Sequence, residues 1–154
     1  MSMKLARLLF FAGLFVLFFG GQASNFVKPM ATGLNSPTME KESSTKVGEN
    51  LYIKYCLQCH QKDGSGVPNM FPPVMKSDWV TGDKDKLINV LLKGLVGDIE
   101  VNGDQYSQVM PKQNNLTDDE IALILTYIRQ NFGNEAGPVL PADVAMVRSK
   151  SITR

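Results

Sequence analysis

The chain has 154 residues, of which 44% are hydrophobic and 20% charged, and its formal net charge is +1. These values suit one packed domain with appendages and exclude a wholly disordered or fibrous protein. The near-neutral charge argues against nucleic acid as a partner. Two cysteines are too few for a disulfide-rich scaffold, and a single histidine excludes any site that needs two imidazoles.

The first 23 residues have the pattern of a secretory signal peptide. Lys4 and Arg7 supply the positive start, an apolar run extends from Leu8 to Phe19, and Ala23 closes a small-residue cleavage sequence. The alternative is a membrane anchor, but the run has about a dozen residues where a span needs roughly 20. We therefore predict cleavage and a periplasmic protein, with membrane attachment only if this segment is retained.

Composition divides the remainder of the chain into three parts. Residues 24–45 are rich in Ser, Thr, Gly, Asn and Pro without an apolar period, which predicts a flexible leader. The compact domain is predicted over residues 46–135. Residues 136–154 form a tail, which we expect to pack on the domain with a short helix near Pro141.

Helical signals dominate the predicted domain. Val47, Leu51 and Tyr55 are four residues apart, which predicts a first helix. Gly48 in that helix costs about 1 kcal/mol relative to Ala, so we expect another backbone to approach it closely. Residues 61–75 read as a loop, since glycine and proline recur there.

Capping and turn residues define the later elements. Asp83 can cap a helix that Gly94 ends. Turn dipeptides on both sides of residues 99–101 predict a small hairpin. Thr117 and Glu120 form a capping box before an apolar stripe, and that last helix is predicted to end at Gly133. The prediction is an all-α fold of three to four short helices with long loops, which needs an internal staple.

Cys56-Leu57-Gln58-Cys59-His60 supplies such a staple, because Cys-x-x-Cys-His is the pattern of covalent haem attachment. Two thiols one helical turn apart can add to the two vinyl groups of a porphyrin, and the next residue then lies below the iron. A haem held in this way would form the missing core.

Three other interpretations of the motif remain open. A thiol oxidoreductase is one, although no predicted strand precedes the motif. A zinc site is another, but zinc needs four ligands and the two cysteines and one histidine give three. A structural disulfide would close only a very short loop and constrain little chain.

The sixth iron ligand is a Met sulfur, a Lys nitrogen or an open position, because His60 is the only histidine. Met110 is the best candidate, since it precedes Pro111 in an irregular loop 50 residues beyond His60 with a helix between them. Met70 and Met75 are too near His60 in sequence to reach the opposite haem face. For any one methionine, filling the core is the usual role.

Between roughly Gly48 and Gly133 the sequence resembles the class I cytochromes c of bacteria. Besides the haem motif, the resemblance rests on Gly64-Ser65-Gly66, Phe71-Pro72-Pro73 and Val109-Met110-Pro111 before the terminal helix. It is greatest with single-haem cytochromes that accompany exported dehydrogenases and copper nitrite reductases. The resemblance implies the cytochrome c fold around one covalently attached haem c, with His60 and Met110 as the iron ligands.

The resemblance also implies roles for further residues. Gly48 and Tyr52 of the first helix are expected to meet Tyr127 or its neighbours in the last. The carbonyl of Pro72, or alternatively that of Pro73, is expected to accept a hydrogen bond from the free ring nitrogen of His60.

Aromatic and basic residues near the haem segments have two readings each. Trp79 and Tyr106 either bond a haem propionate, as the resemblance implies, or are core aromatics with satisfied polar atoms. Four lysines either steer an acidic partner to the haem edge or are simply solvated; they are Lys54, Lys62, Lys76 and Lys112.

The predicted function is electron transfer, because six-coordinate iron has no place for substrate. The protein is expected to carry one electron at a time between an exported dehydrogenase or reductase and a membrane electron-transfer complex. It is thus predicted to be an electron carrier, or a subunit of a dehydrogenase or reductase complex, rather than an enzyme itself. The alternative is a haem protein with a labile sixth ligand and peroxidatic or gas-binding chemistry, although there is no second His and no evident Arg/His pair for distal acid–base work.

Overall fold

The structure is a computed structural model that describes residues 37–152, so the predicted signal peptide lies outside the described residues. The elements in chain order are α1 Pro37–Tyr55, α2 Leu57–His60, α3 Asp78–Thr81, α4 Lys84–Lys93, β1 Ile99–Val101, β2 Asp104–Tyr106, α5 Asp118–Gln130 and α6 Pro141–Ile152. The predominance of helix, with one two-stranded sheet in this part of the chain, confirms the predicted all-α class. Between residues 37 and 152, no helix is both long enough and apolar enough to cross a membrane.

Helix α1 starts earlier than the sequence predicted. It begins at Pro37 and not near Lys46, so residues 37–45, which the sequence assigned to a flexible leader, are helical. Pro37 suits the first position of a helix, and Glu40 in the first turn interacts favourably with the positive helix end. The earlier leader residues lie outside the described part of the chain.

Helices α1 and α5 pack closely together, as Gly48 predicted. A Cβ atom on this buried glycine would lie 2.6 Å from the carbonyl oxygen of Leu123 and 2.9 Å from Cβ of Tyr127. The rings of Tyr52 and Tyr127 lie 5.8 Å apart, which confirms the expected meeting of the two helices. The Tyr52 hydroxyl also donates to the Gln61 carbonyl at 2.6 Å, so α1 is tied to the segment that follows the haem motif.

The predicted caps of α4 and α5 are confirmed. Asp83 accepts hydrogen bonds from the backbone of Asp85 and Lys86, and Thr117 and Glu120 form the reciprocal capping box. Helix α5, however, ends at Gln130 and not at Gly133. Phe132 has a left-handed φ of 57°, and its ring lies 5.0 Å from that of Tyr52. The aromatic contact thus competes with continuation of the helix.

The predicted hairpin is present after α4. Strands β1 and β2 are antiparallel, with Ile99 opposite Tyr106 and Val101 opposite Asp104. The turn between them has φ of 55° at Asn102 and 90° at Gly103, which Asn and Gly tolerate best.

The tail continues into α6, which packs on α4 and α5. Val139, Val144 and Val147 are buried there. Three ion pairs join α6 to the domain, from Lys84 to Asp143 at 2.9 Å, from Arg148 to Asp118 at 2.8 Å and from Lys150 to Asp85 at 3.6 Å. The region from α1 to α6 therefore shares one apolar core, which borders the site described next.

Candidate haem site

The three residues of the motif lie on a single turn at the junction of α1 and α2. The Cys56 N–H donates to the Tyr52 carbonyl at 2.8 Å, and the His60 N–H donates to the Cys56 carbonyl at 3.0 Å. Cys56 and Cys59 are both free and partly buried. Consecutive helical segments thus present two thiols and one imidazole to the same region.

The carbonyl of Pro72, and not that of Pro73, lies 2.9 Å from Nδ1 of His60. Because a carbonyl oxygen only accepts, Nδ1 carries the proton and Nε2 has the free lone pair. Burial lowers the pKa of His60, an effect that the hydrogen bond to Pro72 partly opposes. The imidazole is therefore neutral at pH 7 and prepared to bind iron through Nε2.

Gly66 allows the proline loop to approach the imidazole. Its φ is 67°, and a Cβ atom there would collide with the Phe71 carbonyl oxygen and lie 2.7 Å from that of Pro72. The Gly66 N–H also donates to the His60 carbonyl at 3.0 Å. The loop that supplies the histidine's partner is consequently tied to the histidine's own backbone.

Two adjoining apolar clefts, each of about 80 Å³, lie beside the motif. Both clefts are lined by Cys56, His60, Pro72, Leu91, Leu95, Ile99, Met110 and Ile124. Cys59 lines one of the two clefts. Together the linings offer two thiols, one imidazole and one thioether on mostly apolar walls, and this donor set fits a covalently attached haem.

Met110 lies at this site because its backbone is anchored to the end of α4. Met110 and Leu95 exchange two backbone hydrogen bonds, each of 3.0 Å. The Gln113 N–H donates to the Leu91 carbonyl at 2.7 Å. The thioether of Met110 therefore lines the clefts shared with His60, although 50 residues separate the two in sequence.

The surroundings of the Cys56 thiol disfavour the thiolate form, which is the reactive form of a cysteine. Burial, and secondarily the neighbouring Cys59, raises the pKa of Cys56 to about 12. Reactive thiols have pKa values lowered to about 3.5–7.5 by positive surroundings. This environment argues against the thiol oxidoreductase interpretation.

The two aromatic candidates occupy different positions. Trp79 lines one cleft, but its indole N–H donates to the Glu100 carbonyl at 2.8 Å, and the Lys86 ammonium lies 3.5 Å from its ring centroid. Tyr106 is buried on β2, outside the lining of both clefts. The structure thus brings only Trp79 to the cleft wall, with its indole N–H bonded within the protein.

The four candidate docking lysines are exposed and lie outside the cleft linings. Lys54 is near the mouth, because its ammonium is 4.8 Å from the ring of Tyr55, which lines one cleft. Lys76 packs beside Gly133.

Two buried polar residues near the site escaped the sequence analysis. Arg129 donates to the carbonyls of Val80, Gly82 and Gly137 at 2.6, 3.2 and 2.8 Å, and Asn134 bonds the backbone of Val74, Ser77 and Ile128. These bonds fix the segment that leads from Pro72 to α3. A signal was available for Arg129, since it lies four residues after Leu125 on the apolar side of α5.

The sequence of this chain is similar to those of several known proteins. The family described as cytochrome C oxidase, cbb3-type, subunit III matches residues 43–128. Cytochrome c-552 of Thermus thermophilus is 36% identical over 115 residues, which cover 69% of this chain and 87% of that protein. The cytochrome c subunit of the quinone alcohol dehydrogenase from Gluconobacter oxydans is 32% identical over 120 residues, 76% of this chain and 25% of the subunit. The fructose dehydrogenase cytochrome subunit of Gluconobacter japonicus is 29% identical over 113 residues, which cover 70% of this chain and 23% of that subunit.

Proposed function

Because the chain belongs to the class I c-type cytochromes and is a single-haem electron carrier with covalently bound haem c, we propose that it works in the periplasm. It would carry electrons there between an exported dehydrogenase or reductase and a membrane electron-transfer complex. The names of two relatives support this, because they are cytochrome subunits of an alcohol and a fructose dehydrogenase.

The assignment of the iron ligands rests on one observation, which is that His60 and Met110 line the same two clefts. We propose that Cys56 and Cys59 form the thioether bonds, and that Nε2 of His60 and the sulfur of Met110 are the axial ligands. Bound haem supplies a one-electron iron couple. The Pro72 carbonyl keeps the His60 ring in one orientation and one tautomer, and two fixed ligands minimise rearrangement between oxidation states.

The walls of the clefts exclude water and supply few ionisable groups. Leu91, Leu95, Ile99 and Ile124 line both clefts. Among the described residues of the two linings there is no Arg, Lys, Asp or Glu. A peroxidatic reaction needs a distal acid–base group, so this lining favours the electron carrier over the alternative chemistry.

The ligand assignment is tested by the spectrum of Met110→Ala beside that of Met70→Ala. Met70 is the matched control, since it is 45% exposed and lies outside the cleft linings. We expect Met110→Ala to bind carbon monoxide in the ferrous form and to have a lower midpoint potential, because thioether ligation raises the potential. Met70→Ala should resemble the wild-type protein. An unchanged spectrum and potential in Met110→Ala would refute the assignment.

Export is tested by the mass of the mature protein from a periplasmic fraction. The expected product begins at Ser24 and retains its colour after acid–acetone extraction. A cytoplasmic product that retains residues 1–23 would contradict the proposed location.

A further inference from the structure

The segment that contains Met110 has few side-chain contacts of its own. Its neighbours Gln108, Val109 and Pro111 line one of the clefts, so they face the space that a haem would fill, and Lys112 is exposed. The position of the Met110 backbone therefore depends on the hydrogen bonds to Leu95 and Leu91 at the end of α4.

Gly94 lies at the point where the two backbones meet. It has φ of 73° and ψ of −173°, a region that is essentially restricted to glycine. A Cβ atom there would collide with the Met110 carbonyl oxygen and lie 2.9 Å from the Lys112 nitrogen. Both obstacles are backbone atoms, so no side chain can rotate to relieve the contact.

We propose that Gly94 is a positioning residue for the axial ligand, since its missing side chain lets the Met110 strand lie against α4 and hold the thioether at the iron. The inference rests on the proposed ligation by Met110 and adds to it a determinant of the strength of that bond. A methionine sulfur is a neutral ligand, so a displaced backbone is expected to lengthen or break its bond to iron. His60, held by Pro72 on a different loop, should remain bound.

Gly94→Ala is the variant that tests this, with Gly97→Ala as its matched control. Gly97 belongs to the same connection and has φ of 100°, but a Cβ atom there would meet nothing within 4 Å. The control therefore retains the backbone strain and lacks the collision. The measurements are the methionine–iron charge-transfer band of the ferric protein, carbon monoxide binding by the ferrous protein, and circular dichroism as a check on folding.

We expect Gly94→Ala to weaken the charge-transfer band and to raise the rate of carbon monoxide binding about tenfold, which corresponds to about 1.4 kcal/mol. Gly97→Ala should keep the wild-type band and rate. If the folded Gly94→Ala protein keeps both wild-type values, or if Gly97→Ala changes as much, the proposal is wrong. Comparison with Met110→Ala separates the two hypotheses, because failure of the ligand assignment would leave that variant unchanged too.

Hydrogen exchange of the wild-type holoprotein decides the matter if Gly94→Ala does not fold. The amides of Met110 and Gln113, which donate to Leu95 and Leu91, should exchange far more slowly than those of Gln108 and Val109. Exchange of all four at similar rates would show that the end of α4 does not hold this segment, and would overturn the proposal.

Discussion

Single residues at this site act mainly on the backbone of neighbouring segments, either by leaving space for it or by forming hydrogen bonds with it. Gly66 and Gly94 leave room for carbonyl oxygens beside His60 and Met110, and Arg129 binds three carbonyls from two different segments. The proposed haem ligands are thus positioned by contacts between loops, which a side-chain motif does not reveal.

Gly66→Ala is expected to move the Pro72 carbonyl away from His60, because the new Cβ atom would collide with this loop. Loss of the hydrogen bond makes the imidazole less basic and less electron-donating. We therefore expect a higher midpoint potential, measured by redox titration, and a lower denaturation midpoint. Gly103→Ala is the control, since it has φ of 90° and open space around it. A potential equal to that of the control would contradict the role of Pro72.

At the scale of elements, helix caps and turns were the features that the sequence predicted correctly. Asp83, the Thr117–Glu120 capping box and the Asn102-Gly103 turn act through hydrogen bonds or φ preferences within a few residues, so local sequence determines them. The predicted end of α5 was wrong, because Phe132 lies outside the helix and packs against the ring of Tyr52. The predicted start of α1 was wrong, because the polar composition of its first residues resembled that of a linker.

Asp143 at the start of α6 gives the fold an acid-sensitive contact. The Leu140 N–H, and then Lys84, lower the pKa of Asp143. The carboxylate is ionised in the folded protein to lower pH than in the unfolded chain. Its contribution to stability is therefore complete above the unfolded pKa of about 3.9 and is lost as the pH falls through the lower folded value.

Asp143→Asn should reduce the free energy of unfolding at pH 7 by about 1 kcal/mol or less, because the pair with Lys84 is partly exposed. It should also flatten the fall in stability below about pH 4. Denaturant titrations at a series of pH values measure both effects, with the exposed Asp104→Asn as control. A pH profile parallel to that of the wild type would show that Asp143 has no such role.

For the whole molecule, one short motif was enough to predict that a haem completes the core. Cys56, Cys59 and His60 are adjacent in the chain, so their chemistry could be predicted without knowledge of the fold. The place of Met110 could be selected by its loop and its distance from His60, but its attachment to α4 depends on a contact between segments 15 residues apart, Leu95 and Met110. Arg129 and Asn134 likewise depend on segments that only the fold brings together.

The double variant Cys56→Ser with Cys59→Ser is expected to lose compact structure. Without the covalent haem, the apolar walls of two clefts would face water, and their burial is what stabilises these short helices. Circular dichroism and limited proteolysis of the purified variant measure the loss. His60→Ala, which retains both thiols for attachment, is the comparison. A protease-resistant double variant with native helix content would refute this account.

Trp79, the only tryptophan in the chain, lies in the wall of a cleft that His60 and Met110 also line. Its fluorescence in the folded holoprotein should be quenched by energy transfer to the porphyrin, and unfolding should restore the emission as the indole moves away. The fluorescence of Trp79 therefore reports the distance between the indole and the porphyrin, so refolding can be followed without any added label.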